Sequence, residues 1–218
     1  MATETALWLA VVASGLYHGL NPGMGWPLAV AAGMTERRLG ALIGTLVPLG
    51  AGHLAAVAVV LLPFAALSLL LDWAREIRIG AGLLVVGFAA LLLCYPGHPR
   101  FMARIRPTQI ALWSFLVGVL HGAGLLLVPI LLGLCTVPSA GLPGLAAGQA
   151  PGLAGNAGLA LGVTLIHTAA MLASGGLVAW TVYRLVGLGA LTRSWFDLRM
   201  LWAASLALAG SLGLYAAF

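Results

Sequence analysis

Six long apolar segments that are nearly free of charged residues occupy most of this chain. Soluble globular domains carry roughly 25% charged residues, whereas only 7% of this chain is charged. Because a helix needs about 20 predominantly apolar residues to cross a bilayer, the segments at about 6–33, 39–62, 79–95, 108–134, 156–183 and 200–218 can each form one transmembrane helix. The sequence therefore predicts an all-α integral membrane protein with six transmembrane helices in a single membrane domain, 1–218.

The distribution of arginine predicts how these helices are oriented. All ten basic residues are arginines, and eight of them follow the first, third and fifth segments. The opposite side has only Arg75 and Arg78, which lie close to Asp72 and Glu76 in sequence. Cytoplasmic loops carry the excess of basic residues, so we expect non-cytoplasmic N- and C-termini in a multi-pass protein of a bacterial-type inner (cell) membrane. The arginines form no basic stripe of the kind that binds nucleic acid. We therefore expect the lipid bilayer as a partner and no nucleic acid.

A five-residue motif, Gly-apolar-apolar-His-Gly, occurs twice in the chain. It covers 15–19 and 118–122, and each copy is followed by another apolar segment with a central histidine, His53 or His167. We interpret this pattern as an internal repeat with halves at about 1–97 and about 107–218. Each half has an odd number of helices, so the two halves must cross the membrane in opposite directions. Such inverted repeats are common in secondary transporters.

Four of the five histidines, His18, His53, His121 and His167, lie near the middle of a predicted helix. At a rise of about 1.5 Å per residue, each lies roughly 17–21 Å from the start of its helix. Ionisable residues at this depth face the interior of a helix bundle and mark functional sites. We therefore predict that all four histidines share one site near the bilayer midplane.

The first helix is expected to be broken at Asn21-Pro22-Gly23. Pro22 lacks a backbone N–H, and Gly23 tolerates non-helical angles. A broken helix at membrane depth is tolerated where it is buried in protein or lines a cavity, so its freed backbone groups could contact a substrate. We predict a substrate path along this break and beside the histidine motifs, lined by Tyr17, Asn21, Pro22, Gly23, Met24, Gly122 and Thr168.

The predicted site lacks carboxylates, because all five acidic residues lie outside the predicted helices. Calcium and magnesium prefer oxygen ligands, whereas neutral imidazole suits zinc, nickel, cobalt, copper and iron. We therefore predict that the four histidines bind a transition-metal ion, or a small complex of one, with the element left open. The chain is expected to be a transporter with no catalytic residue, and an enzymatic role is left open.

The first half resembles the LysE-type exporter superfamily. The resemblance rests on Asn21-Pro22-Gly23 at the end of the first helix and on the basic turn Glu36-Arg37-Arg38 before Gly40. The segment from Pro48 to His53 is similar to the Gly-His element of the NicO-like nickel/cobalt exporter branch. The resemblance implies a six-span exporter with two three-helix halves. Nickel exporters carry His-x4-Asp-His in the first helix, whereas this chain has neither that Asp nor a second His there, so the metal stays open.

Three other functions are compatible with the same pattern. Paired histidines could be axial ligands of a haem in a membrane electron-transfer protein, or histidines could shuttle protons in an exporter of a small organic solute. The cluster could also be catalytic or structural in a metal-dependent membrane enzyme. The chain could act as a homodimer or as a subunit of a larger complex.

Overall fold

The computed structural model describes residues 4–67, 74–94, 107–135 and 153–186, together with isolated positions between 204 and 215. These parts of the chain are helical, and they contain no strand. The α-helices are α1 (Glu4–Leu20), α2 (Trp26–Thr35), α3 (Leu39–Leu67), α4 (Ala74–Cys94), α5 (Ile110–Leu120), α6 (Ala123–Leu134) and α7 (Leu153–Thr181). Short 3-10 turns cover Pro22–Met24 and Pro107–Gln109, and a π turn covers Val182–Val186.

The predicted all-α class is confirmed, and the described chain contains helices suited to a membrane. Two helical stretches, Leu39–Ala66 and Gly155–Leu185, are long and apolar enough to cross a bilayer. The pair α5 and α6 would be a third if it counts as one bent span, and Ile79–Leu91 is a shorter apolar helix. Most of the predicted sixth span, and the segment that joins α6 to α7, lie outside the described residues.

The interruption predicted in the first helix is confirmed. Helix α1 ends at Leu20, and Asn21 adopts an extended conformation in which its Oδ1 accepts a 2.9 Å hydrogen bond from the Gly23 backbone N–H. Gly25 has a φ of 98°, a left-handed conformation that favours glycine, and α2 then begins at Trp26. Pro27 occupies the first turn of α2, where its missing N–H has no intrahelical partner to lose.

A second interruption was not predicted, and the expected continuous helix over 108–134 is wrong. Helix α5 ends at Leu120, α6 begins at Ala123, and the two are bent by 62°. Gly122 has a φ of 69°, again in the left-handed region. A Cβ at Gly122 would lie 2.6 Å from the Phe88 ring of α4. The bend therefore needs glycine both for its backbone conformation and for its packing.

The second predicted span is longer than expected. We expected it to end near residue 62. Helix α3 instead includes both Pro48 and Pro63 and continues to Leu67. Proline removes one intrahelical hydrogen bond, but neighbouring residues of α3 pack on other helices, and Leu61 and Ala65 are fully buried. Tertiary packing keeps the chain helical past this proline.

Helices of the two halves of the chain pack against each other. The most extensive contacts join α1 to α7, α3 to α5, and α3 to α7. Glycines permit the close approach: a Cβ at Gly15 would overlap the backbone of α7 and lie 2.8 Å from Ala170 Cβ, and one at Gly118 would lie 2.9 Å from Ala56 Cβ. Small residues of this kind let helix backbones approach closely in lipid.

Two apolar clusters lie on either side of three histidines in this bundle. One cluster includes Val11, Val57 and Val163, on α1, α3 and α7. The other includes Leu42 of α3 and Ala179 of α7, with residues of α2. Three histidines on α1, α3 and α7 fall between these two clusters along their helices. The histidines therefore lie deep within the bundle, with apolar packing on either side.

Candidate metal centre

His18, His53 and His167 come together in the middle of the bundle. The centroid of the His18 ring lies 4.8 Å from that of His53 and 5.4 Å from that of His167, and the centroids of His53 and His167 are 5.6 Å apart. Each ring offers a nitrogen within 4.8 Å of those of the other two. The residues are at most 1% exposed. Three helices thus converge on one buried tris-imidazole cluster.

The close approach of helix backbones brings the rings together. A Cβ at Gly19, the residue after His18, would overlap the Met171 carbonyl and Ser174 of α7. A Cβ at Gly52, the residue before His53, would overlap the Ala111 carbonyl of α5. Any larger residue at these two glycines would push the helices apart and carry the neighbouring histidines with them.

A serine orients the ring of His167. The Ser14 hydroxyl donates to the Val11 carbonyl at 2.8 Å, and Ser14 Oγ lies 3.0 Å from His167 Nδ1. Because the serine proton is used on Val11, the serine oxygen accepts from His167, and we assign the ring proton to Nδ1. The lone pair of His167 then lies on Nε2. Sequence reasoning missed Ser14, because its partner is on a helix 153 residues further along the chain.

Two of these imidazoles carry buried nitrogens that no other group satisfies. His53 Nε2 and His167 Nε2 are buried and have no hydrogen-bond partner among the described residues. An unsatisfied buried polar group costs about 1–3 kcal/mol, and in a native protein it is often explained by a function or a bound ion. These two nitrogens are therefore available as ligands.

The dimensions of the cluster fit one transition-metal ion after a small adjustment. Imidazole binds zinc at about 2.0–2.1 Å, so two nitrogens on one ion lie about 3.3–3.6 Å apart. The nitrogens here lie within 4.8 Å of one another. Rotation of the side chains would have to draw the nitrogens together by about 1 Å to complete the site.

His121, predicted as the fourth ligand, lies beside the cluster and is not one of the three rings that meet. It follows the last residue of α5, and its Nδ1 lies 3.0 Å from the Val117 carbonyl oxygen. Helix α1 continues two residues beyond His18, whereas α5 ends one residue before His121. His121 therefore lies at the bend between α5 and α6, although its motif is the same as that of His18. A Cβ placed on Gly23 would lie 3.6 Å from His121 Nε2.

The predicted path residues fall into two groups. Asn21, Pro22, Gly23 and Met24 form the capped turn after α1, and Met24 is buried. Thr168 is buried next to His167 in sequence, and its hydroxyl has no hydrogen-bond partner among the described residues. Tyr17 and Gly122 instead contact the side of the bundle near α4: Tyr17 packs with Val85 and Ala89, and Gly122 faces Phe88. These two therefore lie where the bundle packs against α4.

A small cavity of about 10 Å³ lies close to the cluster, which is roughly the space of one water-sized sphere. It is lined by Gly19, which follows His18, and by Met24, Trp26 and Met171. Met171 is four residues after His167, so it lies on the same face of α7, one turn away. We had not identified Met171 from the sequence, although its spacing from His167 was a usable signal.

The fold and this cluster define a helical protein with membrane-compatible helices and a buried tris-histidine centre. Comparisons with protein-family models, curated proteins and solved structures find no match. The functional argument therefore depends on the residues and their geometry.

Proposed function

We propose that this protein is a membrane transporter whose substrate is a transition-metal ion bound by His18, His53 and His167. The observation that carries the proposal is the convergence of three buried imidazoles whose ligand nitrogens lie within 4.8 Å of one another. Imidazole is a good ligand for transition metals, and ionisable residues within membrane helices mark substrate pathways. Because the first half resembles LysE-type exporters, we propose export as the direction of transport.

The proposal includes six spans arranged as two inverted repeats, and the packing supports it. Helix α1 packs on α7, and the corresponding α5 packs on α3. The contact of Gly15 with Ala170 has its counterpart in Gly118 with Ala56, and both alanines follow a cluster histidine by three residues.

The third span of each half gives a further reciprocal contact. A Cβ on Gly82 of α4 would lie 3.2 Å from the Gly210 carbonyl, and a Cβ on Gly210 would lie 3.1 Å from the Gly82 carbonyl. Reciprocal contacts of this kind are expected across a pseudo-twofold axis.

Two helix breaks near the cluster favour transport over a purely structural role. The turn at Asn21–Gly25 and the bend at His121-Gly122 approach each other, since a Cβ on Gly23 would lie 3.6 Å from His121 Nε2. Transporters bind substrates where discontinuous helices expose backbone groups near the midplane. We expect the ion to pass from the cluster along these breaks.

The spacing of the rings does not favour the haem alternative. Two axial histidines must face each other across a flat macrocycle. Here the centroid of the His167 ring lies within 5.6 Å of the centroids of both His18 and His53. The cavity beside the cluster, at about 10 Å³, is also small for an organic solute. Metal transport is therefore the function that the geometry supports best.

The test combines metal analysis with transport in proteoliposomes. We expect the purified protein to bind a transition metal, and His18→Ala, His53→Ala and His167→Ala each to weaken binding by more than about 100-fold and to abolish metal flux. His98→Ala, which removes a histidine outside the predicted helices, is the matched control. Wild-type flux in all three cluster variants would overturn the proposal, and a Soret band in the purified protein would favour haem instead.

A further inference from the structure

We infer that the ion carried by this site is copper(I), a soft monovalent cation, and that Met24 and Met171 form a second station for it. The inference rests on the proposed metal transport and specifies its substrate. Three independent features support it: the lack of a buried acidic side chain among the described residues, the burial of the rings, and the thioethers that line the adjacent cavity.

Among the described residues, no buried acidic side chain accompanies the cluster to balance the charge of a divalent ion. Of the acidic residues, Glu4, Glu36 and Glu76 belong to the described chain, and none of them is buried. Asp72 and Asp197 lie outside both the described residues and the predicted helices. The energy of moving an ion from water into a low-dielectric interior grows with the square of its charge, so a divalent ion pays roughly four times the penalty of a monovalent one.

The burial of the rings also disfavours zinc. A zinc site with three protein ligands keeps a water or substrate in the fourth position, and that ligand needs space and polar partners. Here the three residues are at most 1% exposed, and the adjacent cavity of about 10 Å³ is lined mainly by apolar side chains. An ion that is satisfied by three ligands, with no water as a fourth, fits this buried apolar environment better.

The methionines of the cavity supply soft donors. Met24 is 6% exposed and Met171 is 4% exposed, and both line the same cavity. Thioether ligands select copper(I) among biological transition metals. Because a neutral thioether is a much weaker ligand for nickel, cobalt or zinc than for copper(I), two buried methionines beside three imidazoles favour copper(I).

The position of the methionines makes them a step on the path. Met171 lies one turn beyond His167 on α7, and Met24 belongs to the turn that follows α1. Gly19, adjacent to His18, lines the same cavity. An ion leaving the imidazoles toward the break at Asn21–Gly25 would therefore meet the thioethers next.

The ion is tested by competitive titration of the full-length protein in lipid nanodiscs without oxygen. Copper(I) is titrated against bathocuproine disulfonate, and zinc, nickel and cobalt are titrated against a chelating dye. We expect tighter binding of copper(I) than of the three divalent ions, with loss of binding in His53→Ala. Tighter, His53-dependent binding of a divalent ion would overturn copper(I) but leave metal transport standing. The absence of any metal binding would overturn both.

The thioether station is tested with volume-conserving variants. Met24→Leu and Met171→Leu are expected to weaken copper(I) binding or flux by about tenfold while leaving thermal stability unchanged. X-ray absorption of the copper(I) protein should show sulfur scattering that decreases in both variants. Met34→Leu is the control, because Met34 packs in an apolar cluster that includes Trp26 and Leu42. Wild-type copper(I) affinity, flux and sulfur scattering in both variants would overturn the station.

Discussion

At the scale of single residues, one hydroxyl decides which nitrogen of His167 is available. Ser14 Oγ lies between the Val11 carbonyl and His167 Nδ1, at 2.8 and 3.0 Å. Hydrogen bonds to the second nitrogen of a ligand histidine fix its tautomer and its orientation. A metal at Nε2 would therefore depend on a residue that does not touch it, and Ser14 is a positioning residue.

Replacement of Ser14 by alanine is expected to weaken metal binding by about 10–100-fold, because the ring of His167 loses its orientation. Ser14→Thr should recover most of the affinity, since it keeps the hydroxyl. Titration of both variants measures the effect. Thr45→Val is the control, because the Thr45 hydroxyl bonds only to its own helix at Ala41 among the contacts described. Equal affinities for Ser14→Ala and the wild type would refute this role.

At the scale of secondary-structure elements, the contact of α1 with α7 determines the position of His18. Gly15 and Gly19 lie before and after His18 in the sequence of α1, and a Cβ at either glycine would overlap the backbone of α7. Packed interiors have little room to absorb an extra methyl group. The two glycines are thus as important to the cluster as the histidine that lies between them.

Gly15→Ala is expected to lower the free energy of unfolding by about 1–3 kcal/mol, because the new methyl group overlaps the His167 carbonyl. Metal affinity should fall in parallel as α1 moves away. Gly44→Ala is the matched control: no atom lies within 4 Å of a Cβ at Gly44, and alanine should stabilise that helix by about 0.5–1 kcal/mol. Thermal unfolding measures both, and equal changes would contradict the packing argument.

The bend between α5 and α6 gives a second test at this scale. Gly122 has a φ of 69°, which costs a residue with a side chain roughly 1–2 kcal/mol, and a Cβ there would also meet Phe88. We expect Gly122→Ala to lower stability and metal flux while equilibrium binding at the three histidines changes little. Flux and thermal stability equal to those of the wild type would show that the bend tolerates alanine and has no part in transport.

At the scale of the whole molecule, contacts between the N-terminal and C-terminal halves of the chain assemble the site. Helices α1 and α7 form one cross-packed pair, and α5 and α3 form the other. The cluster takes His18 and His167 from the first pair and His53 from the second. The site therefore exists only when both halves are assembled, which suits alternating exposure of an ion to the two sides.

The proposed six-span arrangement puts both termini on the same side of the membrane, and the distribution of arginine predicts that this side is non-cytoplasmic. Alkaline phosphatase fused to the C-terminus should be active, and green fluorescent protein fused there should be dark. The same reporters inserted at the basic turn 36–38 are the control and should give the opposite result, because arginine-rich loops stay in the cytoplasm. A fluorescent C-terminal fusion would contradict six spans with this orientation.

Local chemistry was enough to predict several features of this protein. The apolar runs predicted helices, because every backbone group in lipid must be satisfied within the segment. Pro22 and Gly23 predicted the first break, since a missing N–H and a tolerance of non-helical angles act on the immediate neighbourhood. The central positions of the histidines in those runs predicted one shared site for all four, and three of them meet.

Only the tertiary structure decided which histidines meet and what surrounds them. His18 and His121 belong to the same motif, yet α1 continues past one and α5 ends before the other. Gly122 can bend there because Phe88 of α4 packs against it, and Ser14 and Met171 reach the site from different helices. A sequence motif specifies local preferences, whereas the end of a helix and the neighbours of a side chain depend on contacts with distant parts of the chain.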